Sequence, residues 1–234
     1  GLEVMAQVIR KTKADRVNKF NFPFTLPSPY TGCAFGCEYC YSIKSNLWST
    51  RLKNWGVKPN QAKPKPDVVK RVRKDLISLD NDTTKDARIQ IGNFFDPYPP
   101  IEKKLNITRN ILKEFRNHPE WEIHIETKNP LITRDKDLLK QLDAQAEITI
   151  TTLTHDKQIE PYAPSTNDRF KAIKELSDHG VYVRVMIMPI LGKLTDVQAI
   201  WDKAQSLGAS DYKTKPLNPN YNKINTNLKL KYGI

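Results

Sequence analysis

The chain predicts an open, mostly parallel α/β fold, a partial (β/α)6 barrel. Three observations carry that prediction. Short β-branched runs alternate with amphipathic helical stretches along most of the 234 residues, which is the signature of parallel α/β units. Val181 to Met188 is almost wholly apolar, as strands of parallel sheets tend to be. About six such units can be counted, too few for a closed eight-stranded barrel.

In chain order, residues 1–20 read as an N-terminal extension. Residues 20–31 hold three prolines and read as extended, supplying a first strand before Cys33. Asp67 to Leu79 is amphipathic, with Val68, Val69, Val72, Leu76 and Leu79 at helical spacing. Ala87 to Ile91 reads as a strand and Ile101 to Phe115 as one helix. Trp121 to Ile125 alternates as a strand, Asp135 to Leu142 is a short helix, and Glu147 to Thr152 is the next strand. Ser165 and Asp168 form a capping-box pattern for a helix that runs to His179 and stops at Gly180. After the strand at Val181 to Met188, Thr195 is expected to cap a helix over Asp196 to Leu207. A last strand follows near Ser210 to Thr214. Residues 21–215 thus form the core, and 216–234 a polar, basic C-terminal tail.

The composition sets limits on function. The formal net charge is +12 and hydrophobic residues make up 38%, which suits a globular chain that fills a core and not a disordered one. No apolar run of membrane-spanning length occurs, so no membrane partner is expected and a cytoplasmic setting is. The charge is localised. Residues 44–74 carry ten basic side chains against Asp67 alone, and residues 213–234 carry five lysines and no acid. Trp48, Trp55, Tyr212, Tyr221 and Tyr232 lie among these charges, a mixture that suits nucleic acid. A merely solubilising surface is the plainer reading.

All three cysteines fall within eight residues, at Cys33, Cys37 and Cys40. A disulfide framework spreads its cysteines, so this cluster points instead to metal in a reducing compartment. Gly32 and Gly36 let the loop turn tightly. Three thiolates would leave one iron of a [4Fe–4S] cluster open. Zinc completed by a distant histidine, or reduced structural cysteines, are the other readings. In an α/β sheet ligands gather at the C-terminal strand ends. Those positions are Cys33 to Cys40, Gly92 to Pro97, Glu126 to Lys128, Thr149 to Thr152, and Met188 with Pro189.

The stretch from Thr31 to Tyr41, TGCAFGCEYCY, resembles the cluster loop of radical S-adenosylmethionine (SAM) enzymes. More narrowly it resembles the spore photoproduct lyase group of DNA-repair-like proteins. Supporting stretches are Gly92 to Pro100, Glu126 to Lys128, Thr149 to Thr152, Ile159 to Pro161 and Ile187 to Ile190. The resemblance covers residues 28–192.

It implies that Cys33, Cys37 and Cys40 hold a [4Fe–4S] cluster. The open iron of that cluster binds SAM, which is cleaved reductively to a 5′-deoxyadenosyl radical. An electron donor such as a flavodoxin or ferredoxin is implied with it. Tyr39 matches the aromatic that packs by the adenine, and Lys128 the lysine that pairs with the SAM carboxylate. Thr149 matches a hydroxyl contact, Met188 an adenine-side contact, and Asp96 an aspartate near the substrate. Asn93 stands where many members grip the SAM amino group, and where spore photoproduct lyase has its hydrogen-donating cysteine. Literal repair of that lesion is therefore not expected here, and Tyr98 is the nearby candidate for passing a hydrogen atom. Nucleic acid, held by residues 44–74 and the tail, is the expected substrate. Radical modification of a protein or small molecule is an alternative. A non-catalytic zinc- or cluster-bearing nucleic-acid-binding protein is another.

Overall fold

The computed structural model describes residues 7–18 and 21–234. Of the N-terminal extension, residues 1–6 and 19–20 lie outside them. Six parallel strands form one sheet in chain order: β2 (Phe24–Leu26), β5 (Arg88–Ile91), β6 (Glu122–Thr127), β7 (Gln145–Thr149), β8 (Tyr182–Ile190) and β9 (Asp211–Pro216). A short β1 (Arg10–Lys11) joins β2 antiparallel, so the sheet is open with β1 and β9 at its edges. A separate hairpin pairs β3 (Tyr30–Thr31) with β4 (Lys63–Pro64). The expected open (β/α)6 arrangement is what forms.

Among the described residues ten α-helices lie between the strands and after the last of them. They are α1 (Tyr41–Lys44), α2 (Asn46–Asn54), α3 (Val68–Leu79), α4 (Glu102–Leu105), α5 (Ile107–Glu114), α6 (Lys136–Gln141), α7 (Asp156–Ile159), α8 (Thr166–Asp178), α9 (Val197–Ser206) and α10 (Asn222–Tyr232). Strand alternation sorts the two faces. Ile89, Ile91, Ile123, Ile125, Ile148, Val183, Val185 and Ile187 are buried in the core against helix residues such as Val72, Leu76, Ile111, Phe170, Ile173 and Ile200. The opposite face carries Gln90, His124, Glu126, Glu147, Thr149, Arg184, Met186 and Lys213, so the hollow of the sheet is polar. Among the described residues no helix is long and apolar enough to cross a membrane.

Two local expectations are corrected. The helix expected over Ile101 to Phe115 breaks at Asn106, whose φ is 56°. The buried Glu102 carboxylate reaches over the break and accepts from the Thr108 N–H at 2.7 Å, from Tyr30 and from Arg134. That carboxylate satisfies an amide the second helix would otherwise leave orphaned. Secondly, Asp196 and not Thr195 caps α9, accepting from the Ala199 N–H at 3.0 Å. The Thr195 hydroxyl instead accepts from the Leu191 N–H. The Ser165 cap forms as expected, taking the Asp168 N–H at 3.1 Å.

The basic segment folds back on the cysteine loop. Leu52 and Val57 are buried with Phe95, and β4 pairs beside the loop's first residues. The tail is also ordered. Ile224 and Leu228 of α10 are buried against Ile159, Leu191 and Leu194.

Candidate functional site

The cysteine loop leaves β3 and enters α1. Gly36 has φ 63°, and a Cβ there would lie 2.8 Å from the Asn60 Oδ1 and 2.9 Å from the Tyr162 ring. Only glycine fits that approach. Two backbone bonds clamp the loop onto the turn after α7: the Glu38 N–H donates to the Ile159 carbonyl at 2.8 Å, and the Tyr162 N–H to the Phe35 carbonyl at 3.2 Å. The loop is therefore shaped by protein contacts, independently of its thiols.

Cys33, Cys37 and Cys40 face one cavity of about 730 Å³ at the C-terminal ends of the strands. Tyr39, Asn93, Asp96, Lys128, Thr149 and Met188 line the same cavity. Eight candidates separated by up to 155 positions in the chain are thereby brought together with Cys33. Tyr98 is not. It is fully buried in the core, and its hydroxyl donates to Asp135 at 2.8 Å, below the cavity wall. Its phenol has no path to a substrate, so the structure withdraws it as the hydrogen-atom donor.

Burial pushes the Cys33 thiol up to about 12, aided by Asp96 and Cys40, and raises Cys37 further. Thiolates in so dry a loop need positive charge nearby. Lys128 supplies some. Burial opposes its charge, but Cys37, Glu160 and Asp96 outweigh that and hold the ammonium protonated. Its amine sits 5.7 Å from the Tyr39 ring centroid. Asp96 fixes this corner: its carboxylate accepts from the Tyr98 and Lys128 N–H groups at 2.8 Å and from the Thr127 hydroxyl at 2.7 Å. Asp96 thus positions Lys128 as well as lining the cavity.

The donor set fits a cluster better than one ion. Thiolates around a single tetrahedral zinc would stand about 3.8 Å apart, given Zn–S bonds of about 2.3 Å. Among the described residues, the metal-ligand group gathered within 4.8 Å is Asp80, His118 and Glu120, and the three cysteines do not form one. Their wider spacing suits separate irons.

Several site residues had no role assigned from the sequence. Glu160, already inside the quoted Ile159 to Pro161 stretch, accepts a hydrogen bond from the Tyr39 hydroxyl. Arg169 of α8 pairs with Glu160 at 2.8 Å and donates to the Thr149 carbonyl at 3.0 Å. Thr151 lies 3.2 Å from the Tyr39 hydroxyl and donates to the Met188 carbonyl. On the cavity floor, Gln90 reaches Glu147 at 2.9 Å and Glu126 at 3.4 Å, and the Thr149 hydroxyl reaches Glu126 at 3.4 Å. Pro216 to Pro219, Tyr221 and Asn225 form a wall, with Tyr221 stacked on Tyr41 at 5.1 Å.

Burial and then the neighbouring Glu147 push Glu126 up to about 7, against Lys128, Lys213 and Lys215, which lower it. The unfolded chain loses this proton near pH 4.3 and the folded chain near 7. Between these values the native state binds more protons than the unfolded one, so Glu126's contribution is full at acid pH and falls as pH rises. The Glu126→Gln variant is expected to gain stability relative to wild type between pH 5 and 8 in urea melts of the metal-free protein. A pH-independent difference would contradict this.

Comparison with known proteins was then informative. A family model described as the radical SAM superfamily matches residues 28–201. An uncharacterized protein of Methanocaldococcus jannaschii is 35% identical over 178 residues, 73% of this chain and 62% of that one. A second, of the Acidianus two-tailed virus, is 23% identical over 68% of this chain and 53% of its own. The chain therefore spans less than two thirds of either relative. A cysteine-to-serine mutant of spore photoproduct lyase superposes with a TM-score of 0.64 at 14% identity, covering 96% of this chain and 65% of that one. Streptococcus suis SuiB bound to precursor peptide SuiA superposes at 0.57 and 15% identity, over 86% of this chain and 40% of that one. These likenesses share a fold, and the family match spans the cysteine loop and every strand end that lines the cavity up to β8: the chain belongs to the radical SAM superfamily.

Proposed function

We propose that the protein is a radical SAM enzyme acting on nucleic acid. The observation that carries the first half is the convergence of three cysteine thiols and a half-buried lysine on one cavity at the strand ends. When bound there, a [4Fe–4S] cluster supplies the electron that cleaves SAM to methionine and a 5′-deoxyadenosyl radical, which takes hydrogen from the substrate.

This chain's residues supply orientation and exclusion of water. Cys33, Cys37 and Cys40 hold the cluster. Lys128, kept protonated by the acids around it, offers the SAM carboxylate a point cation. Tyr39, tethered through its hydroxyl to Glu160, presents its ring to the adenine, and Thr149 and Met188 line the same side. Gln90, Glu126 and Lys213 on the floor offer donors and acceptors to the substrate. The wall at Pro216 to Asn225 limits access of water, which protects a reactive intermediate.

Nucleic acid is supported by the basic segment folding beside the cysteine loop and by Lys213 and Lys215 on the cavity lining. The spore photoproduct lyase complex holds a dinucleoside spore photoproduct. A peptide substrate is the second reading, favoured by the likeness to SuiB with its precursor peptide.

The test is anaerobic: load with iron and sulfide, reduce, add SAM, and quantify 5′-deoxyadenosine. Release of the nucleoside is expected, stimulated by oligonucleotide and not by peptide. No cleavage, with zinc in the protein, would overturn the enzymatic reading.

A further inference from the structure

A second groove opens beside the cavity. It encloses about 660 Å³ and lies between α2, the β3–β4 hairpin and the β1–β2 edge. Trp48, Trp55 and Phe94 line it together with Arg10, Lys63 and Lys65. Thr25, Asn93 and Phe94 line both this groove and the main cavity, so the two adjoin. We propose that this groove binds a nucleotide of a single-stranded nucleic acid, the neighbour of the residue that enters the cavity. The inference rests on the nucleic-acid reading above and adds a site and a strand preference to it.

Two features specify the ligand. The first is aromatic surface left open. Trp55 is 55% exposed although it is among the largest apolar side chains of the molecule. Trp48 is braced by Phe94 at 4.5 Å and by the Arg51 guanidinium at 4.8 Å. The platform is thus rigid on its protein side. A planar ring with a π-face on both sides is what such a surface recognises, and stacking of this kind is tolerant of base identity.

The second feature is crowded positive charge. Lys65 is half-buried, and the charged groups felt by its ammonium are Arg10 and Arg71. Burial, and after it these two charges, lower it to about 8. Like charges gathered at the mouth of a groove repel one another until an anion is placed between them. Phosphate is the anion that comes attached to a stackable ring. A base on Trp55 and its phosphate near Lys65 and Arg10 account for both features, whereas an acidic peptide accounts for the charge alone.

Strand preference follows from geometry. A paired base presents its faces to its neighbours in the helix, so only an unpaired or extruded base can stack on Trp55. Because Asn93 and Phe94 border both hollows, a strand that occupies the two would place neighbouring nucleotides in them. The substrate is therefore engaged as an unstacked strand and not as a regular duplex.

The experiment measures binding of a fluorescent single-stranded oligonucleotide to the cluster-loaded protein by anisotropy, at several salt concentrations. A hairpin duplex of the same sequence and an acidic peptide serve as competitors. The single strand is expected to bind at least about 10-fold tighter than the hairpin. Trp55→Ala should weaken it about 5- to 100-fold, from the usual worth of one base stack, and Trp55→Phe should restore most of the loss. Lys65→Gln should reduce the slope of log affinity against log salt by about 0.7, as expected for one lost single-strand phosphate contact. Lys171→Gln, on the exposed face of α8, should change nothing. Trp55 is exposed and Lys65 is only half-buried, outside the hydrophobic clusters, so these variants keep the fold.

Wild-type binding in Trp55→Ala and Lys65→Gln would overturn the groove assignment while leaving the nucleic-acid reading intact. Equal affinity for hairpin and single strand would overturn the strand preference. Failure of the wild type to bind either at low salt, or tighter binding of the acidic peptide, would overturn the nucleic-acid reading itself.

Discussion

The Cys37→Ala variant is expected to fold normally yet to show no absorbance near about 400 nm after loading with iron and sulfide, and to release no 5′-deoxyadenosine. Cys37 is almost fully buried at the bottom of its loop, and two remaining thiols cannot hold a cluster that already leaves one iron open. The fold survives because the loop is held by its glycine turn at Gly36 and by the Glu38–Ile159 and Tyr162–Phe35 backbone bonds. None of these uses the sulfur. Iron content, absorbance and nucleoside release check the prediction together. A variant that keeps its colour and cleaves SAM would show that the three cysteines are not the ligands.

Much of the architecture was legible because it depends on local pattern. The apolar run in Val181 to Met188, the capping serine at Ser165 and the glycine stop at Gly180 each act within a few residues, and each forms as expected. The misread places depend on distant partners. Nothing near Asn106 marks a break, because the residue that makes it possible is Glu102, held in turn by Tyr30 and Arg134. Likewise the basic segment reads as an appendage from its charge, yet Leu52 and Val57 pack with Phe95 and against Cys33, which sets it beside the cysteine loop.

The same division holds in the cavity. Cys33, Cys37 and Cys40 announce themselves by spacing, and Lys128 by standing at the end of a strand. Gln90 lies within a strand pattern where a single polar residue signals only a wet face, and Glu126, though at a strand end, carries no role until Gln90 and Thr149 are seen to reach it. Tyr98 was singled out for its nearness in sequence to Asn93. The Asp96–Pro97 turn sends the two side chains to opposite sides, Asn93 into the cavity and Tyr98 into the core. Nearness along a chain says little once a turn intervenes.

Arg169 has the largest expected effect on stability. It is fully buried, as is its partner Glu160, and its guanidinium also donates to the carbonyls of Thr149 and Pro164. Replacing it with methionine leaves a buried carboxylate and two carbonyls without their donor. Breaking a buried pair from one side costs about 3–5 kcal/mol, which in a chain of this size lowers Tm by about 10 °C. The damage should reach function, because Glu160 holds the Tyr39 hydroxyl and Tyr39 lies between Cys37 and Cys40. Arg169→Met is therefore expected to lose loaded iron faster than wild type even at temperatures where it stays folded. The double variant Arg169→Met, Glu160→Gln removes the stranded charge and should recover part of the lost stability, a coupling that a double-mutant cycle in urea measures directly. A single variant that melts within about 1 kcal/mol of wild type would mean that water, not Arg169, satisfies Glu160, and that the cysteine loop is held by its backbone bonds alone.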